Sequence, residues 1–238
     1  MKQKIMSVNF DNVNMDEALN IAFKAAEDGR KCMVVTPNAE IAYMAEKDKK
    51  LLDIINGAGL VLPDGVGVIL ASKIIGKPLK QKVAGVEFAE SLLSKYSGPV
   101  YLLGGKPGVA ATAKSNLEKK YPGCNIVGVN DGYFKNADEV IEKINQSGAK
   151  VLFVCLGAPK QEFFIHENMS KLSPSVIAGL GGSLDVFAGT AKRAPDIFIK
   201  LGLEWFYRLL KQPSRIKRMS VLPLYVLKSV KYKLFGGK

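Results

Sequence analysis

The sequence predicts an α/β domain on a mainly parallel sheet with helices covering both faces. Three observations carry this. Six short segments rich in Val, Ile and Leu are apolar at consecutive positions, as in strands buried on both sides, whereas one-sided strands alternate. Segments with helical spacing fall between them. The connections are short, which favours right-handed crossovers between parallel strands.

In chain order, a helical pattern over Asp16–Asp28 precedes the first strand candidate, Lys31–Thr36, which ends in Thr36-Pro37-Asn38-Ala39-Glu40. Helical spacing follows over Glu40–Asn56. The second strand candidate, Gly59–Leu62, runs into Pro63-Asp64-Gly65-Val66-Gly67 and then two helical patterns, Val66–Ile75 and Val86–Lys95. Val100–Leu103 ends in Gly104-Gly105 before the helical pattern Pro107–Tyr121. Asn125–Asn130 ends in Asn130-Asp131-Gly132-Tyr133 before Ala137–Ser147. Val151–Leu156 ends in Gly157-Ala158-Pro159-Lys160-Gln161-Glu162, which opens Lys160–Met169. Ser175–Leu180 ends in Gly179-Leu180-Gly181-Gly182-Ser183. Pro107 and Pro159 stand where first helical turns should begin, suiting proline's fixed φ and missing N–H.

The expected architecture is Rossmann-like, and its ligand site lies beyond the carboxyl ends of the strands. Those ends are rich in Gly, Asp and Asn, and glycine lets backbone approach a ligand closely. Each loop alone is ordinary turn chemistry; as a set converging on one rim they point to a nucleotide-type pocket. There is no GxxxxGK[ST], and Leu103-Gly104-Gly105-Lys106-Pro107-Gly108 only loosely echoes GxGxxG without a clear ribose-binding acid downstream. A P-loop NTPase and a dehydrogenase are both disfavoured.

The 238 residues carry a net charge of +12, unevenly spread. Residues 1–189 hold 22 Lys/Arg against 20 Asp/Glu, and residues 190–238 hold 12 against 2. A charge-balanced body with a cationic tail indicates an anionic partner met at one end, not a nucleic-acid binder. The expected division is a nucleotide-sugar-binding domain over 1–190 and a basic helical appendage over 191–238. In the appendage, Leu201–Leu210 is an apolar, aromatic helix candidate holding the only Trp. Arg208, Arg215 and Arg218 follow one another there, the last two spaced to share a helix face. Further on, Lys228, Lys231 and Lys233 alternate with Val230, Tyr232, Leu234 and Phe235, the mixture of a segment lying on an anionic membrane surface. No apolar run reaches the roughly 20 residues of a membrane span. The first ten residues lack a signal-peptide core, so a cytoplasmic location is expected. Cys32, Cys124 and Cys155 are widely spaced and read as small apolar residues, and His166 is the only histidine, so no metal site is expected.

Several blocks occur together: Thr36-Pro-Asn-Ala-Glu40, Pro63-Asp64-Gly65, Val83-Ala-Gly85, Gly157-Ala-Pro-Lys-Gln-Glu162, Gly181-Gly-Ser-Leu-Asp185, Arg193-Ala-Pro195 and Gly202-Leu-Glu-Trp-Phe-Tyr-Arg208. With these blocks the chain resembles the TagA/WecG/CpsF glycosyltransferase family over roughly residues 30–220. One departure is Lys82, where the family pattern has arginine; the charge is kept without the bidentate geometry.

The resemblance implies a cofactor-free, metal-independent enzyme peripheral to the inner face of the cell membrane. It would transfer N-acetylmannosamine from a UDP-sugar donor to the 4-hydroxyl of GlcNAc on an undecaprenyl-diphosphate carrier, with inversion, in making the linkage unit of wall teichoic acid. An inverting displacement needs a base on the acceptor hydroxyl, and Asp64 is the candidate. Thr36 and Asn38 would hydrogen-bond the sugar or the acceptor. Gln161, with Lys160 beside it, would position the donor sugar or its phosphate. Gly181, Gly182 and Ser183 would offer N–H groups to the diphosphate, with Gly104, Gly157 and Lys82 lining the donor site. Asp185 would accept from the uracil N3–H, and Tyr133 would pack on the ribose or base. Arg208, Arg215 and Arg218 are assigned to the diphosphate of the carrier or of the leaving UDP. Exposed apolar groups near the tail would also favour a homodimer in solution. The rival from another class is a non-catalytic nucleotide-binding module docked to the membrane.

Overall fold

The computed structural model describes residues 2–200, 202–211, 216 and 220–236. Six parallel strands form the central sheet: β3 (Cys32–Val35), β4 (Leu60–Val61), β5 (Pro99–Gly104), β6 (Asn125–Asn130), β7 (Val151–Cys155) and β8 (Val176–Gly179), in the order β4-β3-β8-β7-β5-β6. All six correspond to the strands expected from the sequence.

Their consecutive apolar residues have a direct explanation. Successive side chains of a strand point to opposite faces, and here both faces are packed. Met33, Val35, Leu152, Val154 and Ile177 enter one core cluster. Cys32, Val34, Val151, Phe153, Val176 and Ala178 enter the other. The first face is covered by α2 (Ala39–Ala45), α3 (Lys49–Gly57), α4 (Val66–Ile74), α7 (Ala137–Gln146) and α8 (Lys160–Asn168). The second is covered by α1 (Met15–Glu27), α5 (Gly85–Lys95), α6 (Val109–Lys120) and the short α9 (Ser183–Phe187).

Three local features depart from the sequence expectation. An antiparallel hairpin, β1 (Lys2–Ile5) with β2 (Val8–Asp11), precedes α1. It guards the β4 edge of the sheet: Asp11 Oδ2 accepts from the Val61 N–H at 2.8 Å, using a backbone donor that an edge strand otherwise leaves open. The expected helix over Glu40–Asn56 is two helices. Asp48 breaks it by accepting from the Leu51 N–H at 3.1 Å, so it caps α3 instead of continuing α2. Pro107 lies in the turn before α6, whose N-cap is Gly108, and Pro159 is the N-cap of α8.

After α9 come α10 (Asp196–Lys200), α11 (Glu204–Lys211) and α12 (Val221–Phe235). Gly202, between α10 and α11, lies against Val66, the first residue of α4. α12 returns to the body, with Leu222, Tyr225 and Tyr232 joining the first core cluster. Tyr225 is 1% exposed, and Lys228 pairs with Glu46 at the end of α2. The contact with α4 depends on Gly67: a Cβ there would come within 2.3 Å of Leu222 Cδ1 and 2.9 Å of Ala39 Cβ. Gly67→Val should therefore loosen α12 and destabilise the protein by about 1–3 kcal/mol, the usual cost of overpacking. Hydrogen exchange would show faster exchange over residues 221–235 while β3, β7 and β8 stay protected.

Candidate active site

The strand ends that the sequence marks converge around the central strands β3, β8 and β7. Thr36, directly after β3, is 6% exposed and its hydroxyl donates to the Gly179 carbonyl of β8 at 3.1 Å. Asn38 caps α2: its Oδ1 accepts from the Ile41 N–H at 3.0 Å, which leaves the Nδ2 end for another acceptor. Asp64 follows β4, and its N–H faces the Pro37 carbonyl at 3.4 Å. Its carboxylate Oδ2 accepts from the Gly85 N–H at 3.4 Å. Gly65 then turns the chain into α4 with φ of 81°, a conformation glycine adopts without strain. Gly85 also leaves room for Thr36, since a Cβ there would stand 3.1 Å from Thr36 Oγ1. Thr36, Asn38, Asp64 and Gly85 thus form one corner.

The next corner belongs to α8 and β8. Gln161 is 1% exposed and packs against Gly179. Its Oε1 accepts from the Gly181 N–H at 2.9 Å, and its Nε2 donates to Glu162 Oε1 at 2.9 Å. Of the three N–H groups in the Gly181–Gly182–Ser183 turn, that of Gly181 is held by Gln161 and that of Ser183 faces the Leu180 carbonyl at 3.3 Å. Gly182, between them, is exposed. Glu162 is also 1% exposed, and burial pushes its carboxyl up, against the opposing effect of the bond from Gln161.

The cations stand beside these corners. Lys82 Nζ is 3.6 Å from Glu87 Oε1, and the Arg193 guanidinium donates to the same oxygen. The Val83 N–H donates to the Pro63 carbonyl at 2.9 Å, so the backbone next to Lys82 runs beside the residue before Asp64. Lys160 is exposed, with its Nζ 5.7 Å from the centre of the Phe134 ring. Arg208 falls on α11, but its side chain, with Arg215 and Arg218, lies outside the described residues. The Gly202–Val66 contact brings the segment that leads to them back to within two residues of Asp64.

The remaining candidates spread along the rim. Tyr133 is 67% exposed in the loop after β6. Asp185 is partly buried on α9, beside Gly182 and the Thr190 hydroxyl. Gly104 ends β5 with no room for a side chain, since a Cβ would lie 2.3 Å from the Cys155 carbonyl oxygen. Gly157 opens onto free space after β7. Cys155 is no nucleophile: burial pushes its thiol up to about 12. His166 is exposed on α8. Among the described residues no group of three or more His, Cys, Asp or Glu could hold a metal ion. A depression of about 330 Å³ lined by Lys95, Tyr96, Lys120 and Tyr121 lies at the opposite end of the sheet, where β5 and β6 begin.

Three residues that sequence reasoning gave no role now stand in the site: Glu87, Arg193 and Glu162. For Glu162 a signal existed. It is the third residue of a helix capped by proline, which has no N–H for the usual capping-box bond, so its carboxyl must serve something else.

A sequence model of the glycosyl transferase WecG/TagA/CpsF family matches residues 3–238. The chain belongs to this family. A relative from Bacillus spizizenii is 40% identical over 215 residues, covering 89% of this chain and 84% of its own length. Relatives from Bacillus subtilis and Staphylococcus aureus are each 36% identical. Their alignments cover 96% and 98% of this chain, and 91% and 93% of their own lengths. All three are named N-acetylglucosaminyldiphosphoundecaprenol N-acetyl-beta-D-mannosaminyltransferase.

Asn38 offers a test that separates its two ends. Asn38→Asp keeps the cap oxygen and should leave the melting temperature nearly unchanged, yet it replaces the amide donor with a charge near Asp64 and should cut turnover. Asn38→Ala should lose both the turnover and about 1 kcal/mol of stability. Thermal melts and steady-state rates on the two variants decide it.

Proposed function

We propose that this chain is an inverting glycosyltransferase that moves N-acetylmannosamine from UDP-ManNAc to the 4-hydroxyl of GlcNAc on undecaprenyl diphosphate, making the linkage unit of wall teichoic acid. The observation that carries the reading is the setting of Asp64. Its carboxylate stands at a strand end, oriented by the Gly85 N–H, beside Thr36 and across from the Gly181–Ser183 turn. The names of the relatives support the choice of sugar and acceptor.

In this reading the acceptor 4-hydroxyl attacks the anomeric carbon of ManNAc, and Asp64 takes its proton. The bond from that carbon to the phosphate oxygen breaks, and UDP leaves with the electron pair. Charge on the leaving diphosphate is met by Arg208, Arg215 and Arg218, with Lys82 and the Gly182 N–H as further donors. Asn38, through Nδ2, orients the acceptor sugar; Thr36 holds the ends of β3 and β8 together beneath it. Asp185 reads the uracil N3–H, and Tyr133 packs on the ribose or base. Lys160 and Gly157 complete the donor side. Asp64→Asn should lower turnover by about 10²–10⁴-fold, the range for loss of a general base. UDP affinity measured by calorimetry should stay within about twofold of wild type. Full turnover in Asp64→Asn would refute the assignment of the base.

Residues 1–190 form the catalytic domain in this reading, and 191–238 the appendage that meets the membrane. Among the described residues no helix is long and apolar enough to cross a membrane. α12 is instead apolar on two sides. Leu222, Tyr225 and Tyr232 face the body, while Leu224, Leu227, Val230, Leu234 and Phe235 are exposed on the outer side, with Lys231 and Lys233 also exposed. That outer face inserts at the boundary of an anionic leaflet, and without lipid it buries against a second copy of the chain. Co-sedimentation with vesicles containing anionic phospholipid should weaken about tenfold when Leu227 and Leu234 are both replaced by Glu. Unchanged binding would rule out α12 as the docking element.

A further inference from the structure

The buried carboxyl of Glu162 lies beneath the site, and the reaction scheme leaves its chemistry unused. Its Oε1 accepts from Gln161 Nε2, but its buried Oε2 has no hydrogen-bond partner among the described residues. Such an oxygen is costly to keep if it shares a negative charge, because an ionised carboxylate needs donors or a cation once water is excluded. Among the described residues no cation pairs with Glu162. The usual task of a glutamate three residues into a helix is closed to it, because Pro159 at the cap has no N–H.

What Glu162 does hold is the amide of Gln161. An amide in a buried site has two orientations, and its neighbours select between them. The Gly181 N–H, a donor, requires the oxygen end. Glu162 Oε1, acting as an acceptor, requires the nitrogen end. Both demands agree, and the result is a chain of bonds from α8 to the turn after β8. We propose that Glu162 is a positioning residue for the glycosyl donor, holding the Gln161 amide in the orientation that anchors the Gly181–Gly182–Ser183 turn. It does this as a neutral acid, with its carbonyl oxygen toward Gln161 and its proton on Oε2, where a buried hydroxyl without a partner costs less than a buried charge without one. The role of the turn rests on the transferase reading above; the bond chain and the protonation state do not.

The test uses the full-length protein and two variants. Glu162→Gln retains a carbonyl oxygen for Gln161 and stays neutral. It should keep the KM for UDP-ManNAc and the calorimetric affinity for UDP within about threefold of wild type. Glu162→Met keeps the bulk and removes both oxygens, leaving the Gln161 Nε2 without its acceptor. It should raise that KM and weaken UDP binding about tenfold, with a smaller change in kcat. Infrared spectra should show a protonated-carboxyl carbonyl band in wild type that disappears in Glu162→Gln. The proposal is overturned if Glu162→Gln is as impaired as Glu162→Met, which would mean the charge is required. It is equally overturned if the wild-type protein lacks the band. A Glu162→Met protein that melts lower but keeps its KM and UDP affinity would reduce Glu162 to a packing residue and also sink the proposal. Should Glu162→Met fail to fold, the wild-type infrared band and the Glu162→Gln comparison still decide. Absence of transfer by wild type from any UDP-sugar would count against the transferase reading alone, since UDP affinity and the infrared band are read without turnover.

Discussion

The register of β3 against β8 is the constraint on which the site depends. It sets Val35 opposite Gly179, so the next residue, Thr36, can reach the Gly179 carbonyl with its hydroxyl. The same alignment puts Met33 and Val35 into one core cluster and Cys32 and Val34 into the other. A slip of one residue would exchange the two sets between faces and would carry Thr36 away from Gly179. The hydrophobic pattern of a four-residue strand thus sets the position of a polar corner beyond its end. β4 adds little pairing of its own, only two residues, yet it extends this corner by bringing Asp64 beside Pro37. The hairpin bond from Val61 to Asp11 keeps that short edge strand in place.

A diphosphate leaving group demands positive charge, and the body supplies it sparingly. Glu87 is shared by Lys82 and Arg193, so the three side chains carry one net positive charge while both cations are held in position. The excess of cations sits in residues 190–238, in the segment that returns to the body through the contact of Gly202 with Val66. The uneven distribution of charge along the chain is therefore consistent with a site assembled from two parts, one nearly neutral and one strongly basic.

Five of the six strands were legible because strands buried on both faces leave a signature in the sequence itself, uninterrupted runs such as Val151–Cys155, whereas β6, at the sheet edge, buries only Ile126. The hairpin at the start was not, because Lys2–Ile5 and Val8–Asp11 are four residues each and mix polar with apolar positions. The break between α2 and α3 escaped because helical spacing continues through it, and only the cap formed by Asp48 marks it. In the site, Asp64, Thr36 and Asn38 stood out as polar residues at strand ends. Gln161 did too, but its burial was hidden: the proline before Lys160-Gln161-Glu162 marks Glu162, and nothing there says that Gln161 will turn inward with it. Glu87 and Arg193 are 106 residues apart, and only folding reveals that they share a bond.

In the proposed reading, α12 ties these features to the position of the acceptor. Its inner face rests on α2 and α4, the two helices whose first turns carry Asn38 and follow Asp64. A lipid-linked acceptor presents its reacting sugar only a diphosphate away from the bilayer, so a site that uses it must stand close to the membrane at a defined height. In the proposed reading, a helix bound to the lipid on one side and to the helices of the site on the other would fix that height, and among the described residues no helix is long and apolar enough to span the bilayer. A grip on α2 and α4, rather than on the far side of the sheet, would place the proposed membrane contact next to the helices that adjoin Asn38 and Asp64. The lack of a side chain at Gly67 is what allows so close an approach, because Leu222 occupies the space a Cβ would need.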